Sequence, residues 1–486
     1  MFTKVLWSSI ALLASEAAAA NFVTNGLALT PQMGWNTWNT FACDVDEELI
    51  LSTAQTLVDL GFRDAGYHYV VLDDCWSDGR TSNEMLNPDQ TKFPNGMKYV
   101  ADHIHSLGMG FGMYSDAGAY TCGMYSGSLG HETVDAATFA SWGVDYLKYD
   151  NCYNEGQSGT PQITQARYKT MSNALNATGR PILYSMCNWG EDSPWNWAQT
   201  VANSWRMSGD ITDSFNRPDP RCPCTEAYDC NLPGFHCSVM NILNKQAAFP
   251  SKSQPGAWSD LDMLEIGNGG MNDEEYKLHM TMWAATKSPM IIGTDVRALD
   301  ANAYSIYTNP AILAISQDPS GSSIVRKWRY FLDPDENGEG EISMWSGSLS
   351  QGDYILVLLN GANSPMSMNA TLADIFVDSG GAESDEVKQS WDVYDLWANR
   401  MPNSTANMIL ESNSTMAAMN VTNHYWNATE TSFADGIAAN KSILFGKNVG
   451  VVDAMGTVTA EVPRHGVMAY RLRPRGSPTS RKRDEL

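Results

Sequence analysis

Short apolar runs that end in charged or aromatic residues recur through the first two thirds of the chain, and a longer segment of helical character follows each run. Segments 46–60 and 273–286 carry apolar residues at spacings of three and four and begin with acidic residues, as amphipathic helices do. Eight such units predict an α/β fold of the (β/α)8 TIM-barrel type, in which the carboxyl ends of the strands meet at one mouth. The predicted strands are 33–38, 69–74, 110–116, 144–150, 182–189, 204–210, 257–262 and 289–295.

After about residue 320 the pattern changes to short strands separated by Gly-rich turns, at 341–346, 354–360, 456–461 and 466–472. This pattern predicts a C-terminal antiparallel β-sandwich domain. We therefore divide the chain into a signal peptide (1–20), a catalytic barrel (21–319), a β-sandwich domain (320–475) and a tail (476–486). An insertion near 399–440, rich in Asn, Ser, Thr and Met, carries no clear element signal.

The amino end has the pattern of a secretory signal. Lys4 precedes an apolar run at 5–13 that is too short to span a bilayer, and three alanines at 18–20 offer a cleavage site. Secretion is the expectation, and no other stretch predicts a membrane span. The seven Asn-x-Ser/Thr glycosylation sequons agree with export, and the five between Asn403 and Asn440 predict a surface segment. They are Asn176, Asn369, Asn403, Asn413, Asn420, Asn427 and Asn440.

The chain ends in Arg483-Asp484-Glu485-Leu486, which resembles the tetrapeptides that retrieve proteins to the endoplasmic reticulum. The alternative is an ordinary basic tail, and the preceding residues also form a possible processing site. Retention in the endoplasmic reticulum is therefore a secondary hypothesis beside secretion.

The charge balance excludes some partners. The formal net charge is −24 and the pI is near 4.6, whereas nucleic acids and anionic membranes need a basic face. The 16 Trp and 20 Tyr are many; sugar rings stack on aromatic faces, although most of these residues belong to a core. The composition favours a carbohydrate partner and does not indicate an oligomeric state.

Nine cysteines in an exported chain predict disulfides with one thiol left over. Cys222, Cys224, Cys230 and Cys237 fall within sixteen residues, where two nested bridges are favoured over a zinc cluster. The spacing of the other five cysteines does not predict their pairing.

The predicted strand at 144–150 sets the chemistry of the mouth. Lys148 and Asp150 are two positions apart and so project to the same face, either as a structural ion pair or as part of a site. Other strand ends add carboxylates, a second cation and aromatics, without a Ser-His pair, a phosphate loop or a His-rich metal spacing. Glycoside hydrolysis needs two carboxylates and little else, and a Mg²⁺-dependent enolase-type barrel is the chemical rival. The predicted mouth residues are Trp38, Asp73, Asp74, Tyr114, Lys148, Asp150, Trp189, Arg206, Asp210 and Asp262.

Five motifs, in order along the chain, resemble those of retaining α-galactosidases of glycoside hydrolase family 27. The resemblance runs from about residue 27 to 318 and continues more weakly to 473. Each motif alone is weak, but five in the right order are a specific signal. The motifs are LTPQMGWNTW at 29–38, VLDDCW at 71–76, YLKYDNC at 146–152, SWRMSGDI at 204–211 and WSDLDML at 258–264.

The resemblance implies a role for each matching residue. Asp150 would be the nucleophile and Asp210 the general acid/base, about 5–5.5 Å apart as in retaining enzymes. Lys148, Arg206 and nearby amide donors would keep Asp150 ionised, whereas Asp210 would need a raised pKa. The remaining roles concern the sugar: Asp73 and Asp74 at O4 and O6, Lys148 at O3 and O4, Arg206 with Asp262 at O2, Trp38 on the apolar face, and Tyr114 beside the nucleophile.

The resemblance also implies disulfides Cys43–Cys75 and Cys122–Cys152, the second beside the sugar, with Cys187 as the free thiol. Cys187 and Trp189 resemble the plant and fungal branch and would crowd the sugar's 2-position. That crowding makes α-N-acetylgalactosaminidase activity the less expected alternative. No cofactor or metal is implied.

The expected substrate carries a terminal α-galactose, as in galacto-oligosaccharides, galactomannans or galactolipids. Asp73 favours galactose over the β-L-arabinopyranoside that some relatives of this fold hydrolyse. A non-catalytic galactose-binding protein is a further alternative, although both predicted catalytic carboxylates are present.

Overall fold

The computed structural model describes residues 23, 25–216, 237–338, 340–412 and 423–475. The predicted signal peptide, Cys222, Cys224, Cys230, Asn413, Asn420 and the tail lie outside these residues. No helix in the described ranges is both long enough and apolar enough to cross a membrane.

Eight parallel strands form the predicted barrel, and each lies within one of the apolar runs. Along the sheet the strand order is β8-β1-β2-β3-β4-β5-β6-β7. The barrel closes between β7 and β8 because Leu264, just beyond β7, bridges Ile292 in β8. The strands are β1 (Met33–Asn36), β2 (Tyr69–Val71), β3 (Gly110–Asp116), β4 (Tyr146–Asp150), β5 (Leu183–Met186), β6 (Ser204–Arg206), β7 (Trp258–Asp260) and β8 (Met290–Ile292).

Helices follow the strands, and their amino ends explain where they begin. The Asp46 side chain caps α1 by accepting from the Leu49 amide, and Asn272 with Glu275 forms a capping box at α6. A single turn, Trp38–Phe41, follows β1, and a hairpin of Ser77–Arg80 and Leu86–Pro88 follows β2. The longer helices are α1 (Glu47–Asp59), α2 (Gly96–Ser106), α3 (Glu132–Trp142), α4 (Pro161–Ala177), α5 (Val239–Gln246), α6 (Asp273–Ala285), α7 (Ala301–Tyr307) and α8 (Pro310–Ser316).

One unit departs from the predicted strand–helix repeat. Between β5 and β6 the chain forms only two short 3-10 turns, Pro194–Asn196 and Ala198–Thr200. Pro194 begins the first of these turns, and Ser193 before it has a left-handed backbone with a φ of 55°. Buried Trp195 and Trp197 fill the space instead.

The second domain contains the predicted antiparallel sheets. Six strands pair in the order β9-β10-β11-β16-β13-β14, and β12 pairs with β15. β15 alternates exposed and buried residues along its length, as a strand with one face on a core does. The strands are β9 (Val325–Phe331), β10 (Glu341–Ser348), β11 (Tyr354–Asn360), β12 (Met366–Thr371), β13 (Trp391–Asp395), β14 (Lys447–Val452), β15 (Thr457–Val462) and β16 (Gly466–Pro474). The predicted domain boundary at 319–320 falls between the end of α8 and the start of β9.

The insertion near 399–440 contains helices α9 (Asn403–Ser412) and α10 (Phe433–Ala438). It packs on the barrel, since the Tyr425 hydroxyl donates to the Gly61 carbonyl and the Ala428 amide donates to the Asp64 carbonyl. Of the described sequon asparagines, Asn427 is half-buried and the others are exposed, namely Asn176, Asn369, Asn403 and Asn440. The described part of the insertion therefore has a packed inner side and an accessible outer side.

Candidate active site

The end of β4 places its two charged residues as the alternation predicts. Leu147 and Tyr149 are fully buried, and the Tyr149 ring packs edge-on against Tyr168 of α4. Lys148 and Asp150 therefore share the opposite, inward face of the strand. Asp150, the predicted nucleophile, is 6% exposed at the carboxyl end of the strand.

Two donors fix the Asp150 carboxylate. The Tyr114 hydroxyl donates to Oδ2 at 3.1 Å and the Asn151 backbone amide donates to Oδ1 at 3.1 Å. Burial raises the pKa of the Tyr114 phenol well above its ordinary value, so this hydroxyl stays protonated as a donor. The carboxylate is therefore held in one orientation by groups that do not titrate near neutral pH.

A second group lies on the side of β2. Lys148 Nζ and Asn36 Nδ2 both contact Asp73 Oδ2 at 2.7 Å. Asp74 accepts from the Gly123 amide at 2.7 Å, which joins it to the loop that carries Cys122. Burial lowers the pKa of Lys148, but the neighbouring carboxylates, Asp73 first, outweigh burial and raise it well above its usual value. Lys148 is thus a permanent cation in the mouth.

A third group surrounds Arg206 at the end of β6. Its Nη2 lies 2.7 Å from Asp262 and 3.0 Å from Asp210, the predicted acid/base. Its Nη1 donates to the Cys187 sulfur at 3.5 Å, and Cys187 is a buried free thiol. The Asp210 side chain is 46% exposed, unlike that of Asp262 at 4%. Asp210 is therefore the carboxylate of this group that solvent and a departing group can reach.

The expectation that its neighbours keep Asp150 ionised is wrong in its net direction. Burial raises the pKa of Asp150, and the negative charges of Asp210 and Asp73 add to this effect. Lys148 is the main opposing charge, but Asp73 already lies within 2.7 Å of its ammonium group. Burial therefore prevails, because one cation is shared among several buried carboxylates.

The structure contains the disulfides Cys43–Cys75 and Cys122–Cys152. Cys237 is also bridged, but the predicted partners Cys222, Cys224 and Cys230 lie outside the described residues. Among the residues that are described, the one group of three candidate metal-ligand side chains is Asp116, Cys122 and Cys152. Its two sulfurs are joined to each other, so this group does not offer a metal site.

Trp38 and Trp189 lie just beyond the carboxyl ends of β1 and β5, at the same mouth, and both are half-buried. Three further polar residues of the site escape the sequence reasoning. Asn36 binds Asp73, Asp116 is the register partner of Asp150, and Asp260 lies near Arg206 with a pKa that burial raises to about 6. All three lie inside predicted strands or motifs, and the strand-end position of Asp116 was the signal that could have identified it.

The mouth combines several enclosed carboxylates, Asp150 among them, with the accessible Asp210, and cations and aromatics border them. This is the set of groups that a (β/α)8-barrel glycoside hydrolase needs. Comparison with known proteins is more specific. A family model described as alpha galactosidase A matches residues 30–318, and one for the alpha galactosidase C-terminal β-sandwich domain matches residues 339–422. The chain therefore belongs to the α-galactosidases of glycoside hydrolase family 27.

Individual relatives match over nearly the whole chain. An α-galactosidase of Lachancea cidri is 55% identical over 462 residues, 95% of this chain and 97% of the relative. The solved structure of an α-galactosidase from Saccharomyces cerevisiae is 54% identical, with a TM-score of 0.90, and covers 94% of this chain and 100% of its own. Another Saccharomyces cerevisiae structure, with raffinose, has the same identity and TM-score and covers 93% of this chain and 99% of its own.

Proposed function

We propose that this α-galactosidase removes terminal non-reducing α-D-galactosyl residues by double displacement, with Asp150 as nucleophile and Asp210 as general acid/base. The observation that carries the proposal is the contrast between the two carboxylates. Asp150 is enclosed and fixed by Tyr114 and the Asn151 amide, whereas Asp210 is half exposed beside Arg206. A nucleophile needs a fixed direction, and an acid that also activates water needs access to solvent.

In the first step an Asp150 carboxylate oxygen attacks the anomeric carbon while Asp210 donates its proton to the departing glycosidic oxygen. The bond to the leaving group breaks and a galactosyl ester of Asp150 forms. Lys148 and Arg206 place positive charge beside the sugar hydroxyls, near the ring on which positive charge develops in the transition state. Asp73 and Asp262, which pair with these two cations, offset their charge.

In the second step Asp210, now ionised, takes a proton from water, and the water oxygen attacks the anomeric carbon. The ester bond to Asp150 breaks and galactose leaves with its original anomeric configuration. The first step needs Asp150 ionised and Asp210 protonated, so the rate depends on pH through both carboxylates.

Sugar selection follows from the predicted binding roles. Asp73 and Asp74 accept hydrogen bonds and so fit the O4 and O6 hydroxyls of galactose. Cys187, held by Arg206, and Trp189 would leave little room at the 2-position for an N-acetyl group. A solved relative was obtained with raffinose, which supports raffinose-type oligosaccharides as substrates here, and galactomannans and galactolipids present the same terminal sugar.

The test compares the protein with its Asp150→Asn variant on an aryl α-galactoside, an aryl β-L-arabinopyranoside and an aryl N-acetyl-α-galactosaminide, with and without EDTA. We expect galactoside turnover that EDTA does not change and that the variant lacks. Turnover that requires a metal, or that survives in a folded variant, would contradict the proposal, as would a higher kcat/KM on either other glycoside.

We also propose that the protein is secreted. The amino-terminal pattern and the exposed sequons Asn176, Asn369, Asn403 and Asn440 support export. Deletion of residues 483–486 should leave the distribution between medium and cells unchanged. A shift from cells to medium would favour retrieval to the endoplasmic reticulum instead.

A further inference from the structure

The turn that carries Trp189 has an unusual backbone. The Glu191 amide donates to the Asn188 carbonyl at 2.9 Å, and the central residues Trp189 and Gly190 have φ values of 56° and 82°. Positive φ at both central positions is the signature of a type I′ turn, which favours Asn, Asp or Gly there. A large aromatic residue in this conformation is strained, and such strain persists only when surrounding contacts hold it.

Close packing limits where the turn can lie. A Cβ atom on Gly190 would come within 2.3 Å of the Met207 carbonyl oxygen, just beyond β6. The Asn188 side chain also donates to the Glu191 carbonyl at 2.6 Å, which closes the turn on itself. The turn therefore rests against β6 on one side, and the Glu191 side chain attaches it on another.

That attachment reaches the end of β4. Asn151 Nδ2 donates to Glu191 Oε2 at 2.9 Å, and Asn151 Oδ1 accepts from Arg167 Nη2 at 2.5 Å. Arg167 in turn donates to the Ala117 carbonyl at 3.0 Å. Asn151 and Arg167 are 2% and 5% exposed. The orientation of the Asn151 amide is thus fixed by an anion on one side and a cation on the other.

Asn151 also contacts the nucleophile, because its backbone amide donates to Asp150 Oδ1 at 3.1 Å. One residue therefore holds the Asp150 carboxylate with its backbone and the Trp189 turn with its side chain. Glu191 has no role in the chemical steps proposed above, and of Asn151 only the backbone amide does.

We propose that Glu191 is a positioning residue that, through Asn151, holds the 188–191 turn in its strained form and so keeps Trp189 and the preceding Cys187 in place as the wall at the sugar's 2-position. The inference rests on the proposed α-galactosidase activity and adds a determinant of sugar selection to it. The hydrogen bond to Asn151 depends on the reach of the Glu191 side chain, and a neutral acceptor of the same length would keep it.

Two substitutions separate reach from charge. Glu191→Asp keeps the charge but shortens the side chain, so the carboxylate no longer reaches Asn151. Glu191→Gln loses the charge but keeps an oxygen that accepts from Asn151. We expect Glu191→Asp to lower kcat/KM on an aryl α-galactoside about tenfold to a hundredfold and to reduce the preference over the N-acetyl analogue. Glu191→Gln should stay within about threefold of the unmodified protein, because its hydrogen bond survives.

A double-mutant cycle tests whether the effect passes through Trp189. In a Trp189→Ala background, Glu191→Asp should change kcat/KM less than about twofold, because residues that act as one unit are not additive. Three outcomes would overturn the inference. The effects of Glu191→Asp and Trp189→Ala on kcat/KM could be fully additive, Glu191→Gln could lose more activity than Glu191→Asp, or the loss could be explained by a smaller folded fraction alone. If Glu191→Asp does not fold, Asn151→Ser takes its place, because a serine side chain cannot reach Glu191. We expect Asn151→Ser to show the loss predicted for Glu191→Asp. Unchanged selectivity in Asn151→Ser would also overturn the inference.

The same assay separates this inference from the proposed function. Turnover of the α-galactoside by the unmodified protein supports the function, and equal kinetics in Glu191→Asp would then reject the positioning role alone. Absence of that turnover would reject both.

Discussion

Two buried lysines, one at each end of the barrel, differ in what surrounds their charge. Lys148 projects into the mouth against the Asp73 carboxylate, and its pKa is raised well above the usual value. Lys287 precedes β8 at the opposite end and is fully buried. Its Nζ donates to the backbone carbonyls of Ile315, Ser316 and Asp318 at 2.6, 3.1 and 3.2 Å. Burial lowers its pKa to about 7, although Asp318 opposes this shift.

The comparison shows how one residue type serves two purposes. Lys287 satisfies the free carbonyls at the end of α8, where an unpaired carbonyl costs stability. Lys148 shares the mouth with carboxylates, among them Asp74, Asp150 and Asp262, whose pKa values burial raises. Burial of these carboxylates at the mouth therefore costs stability, whereas Lys287 at the other end stabilises the fold by donating to carbonyls at the end of α8. Variants at the mouth should change activity, and variants at the far end should change stability.

Asp150→Asn should have the largest effect on activity. We expect turnover to fall at least about 10⁴-fold, because the nucleophile is lost. At neutral pH the variant should melt no lower than the unmodified protein, since it removes a buried charge. The sign follows from the raised pKa. The charge destabilises the fold above that pKa, and the cost disappears as pH falls below the unfolded value of about 3.9.

Calorimetry and steady-state kinetics across pH 3–8 check this prediction, with exposed Asp102→Asn as the control. A large loss of stability in Asp150→Asn at neutral pH would contradict the contrast between the two ends.

Of these variants, Lys287→Met should have the largest effect on the free energy of unfolding. Three carbonyls lose their donor, and we expect unfolding to become easier by about 2–4 kcal/mol while kcat per folded molecule stays unchanged. Because the folded pKa of about 7 lies below the unfolded value of about 10.4, the stability of the unmodified protein relative to the variant should grow as pH rises above about 7.

Denaturant titration at two pH values measures this difference, and Lys98→Met, at an exposed pair, is the control. Reduced kcat in folded Lys287→Met would mean that the far end also serves catalysis.

Tyr114→Phe should have a smaller effect within the mouth. It removes the hydroxyl that donates to Asp150, so the ionised carboxylate loses a stabilising hydrogen bond and the pKa of Asp150 rises further. We expect kcat/KM to fall about tenfold and the acid limb of its pH profile to move up by about one pH unit. The pH profile is the measurement, with exposed Tyr99→Phe as the control. A limb that moves to lower pH would show that Tyr114 does not stabilise the carboxylate.

Arg400→Met tests the contact between the two domains and should have the smallest effect. Arg400 binds Asp273 at the start of α6 through two hydrogen bonds, at 2.6 and 2.7 Å. The Asp273 side chain is 39% exposed, so solvent screens the pair and we expect a loss of about 1 kcal/mol with normal activity. Arg464→Met, at the more exposed pair with Glu336, should change stability less. Thermal melts of both variants decide the order, and an equal effect would contradict it.

The sequence predicts the barrel and most of its mouth because the chemistry lies at strand ends. Apolar runs that stop at Asp73, Asp150, Arg206 or Asp262 identify both the strand and the residue. Contacts between distant segments leave no such pattern. Asn151 meets Glu191 forty positions away, and Lys287 meets the end of α8 twenty-eight or more positions away.

Three local features of the structure could not be predicted from the sequence either. The positive φ of Trp189 depends on the packing of Gly190 against β6, which no propensity of Trp indicates. The net pKa of Asp150 depends on how many carboxylates share Lys148, and that number becomes visible only when the barrel is closed. The insertion near 399–440 lacked a clear pattern because its helices are short, and α9 buries Ala406 and Ile409 among polar residues.

The most direct test of the account is mass spectrometry of the protein after reaction with a fluorinated α-galactosyl fluoride that slows breakdown of the glycosyl-enzyme. The account predicts one added fluorogalactosyl mass, located on the peptide that contains Asp150 and missing in Asp150→Asn. A label on Asp210 instead, or rapid turnover of galactosides without any covalent adduct, would contradict the assignment of Asp150 as the nucleophile.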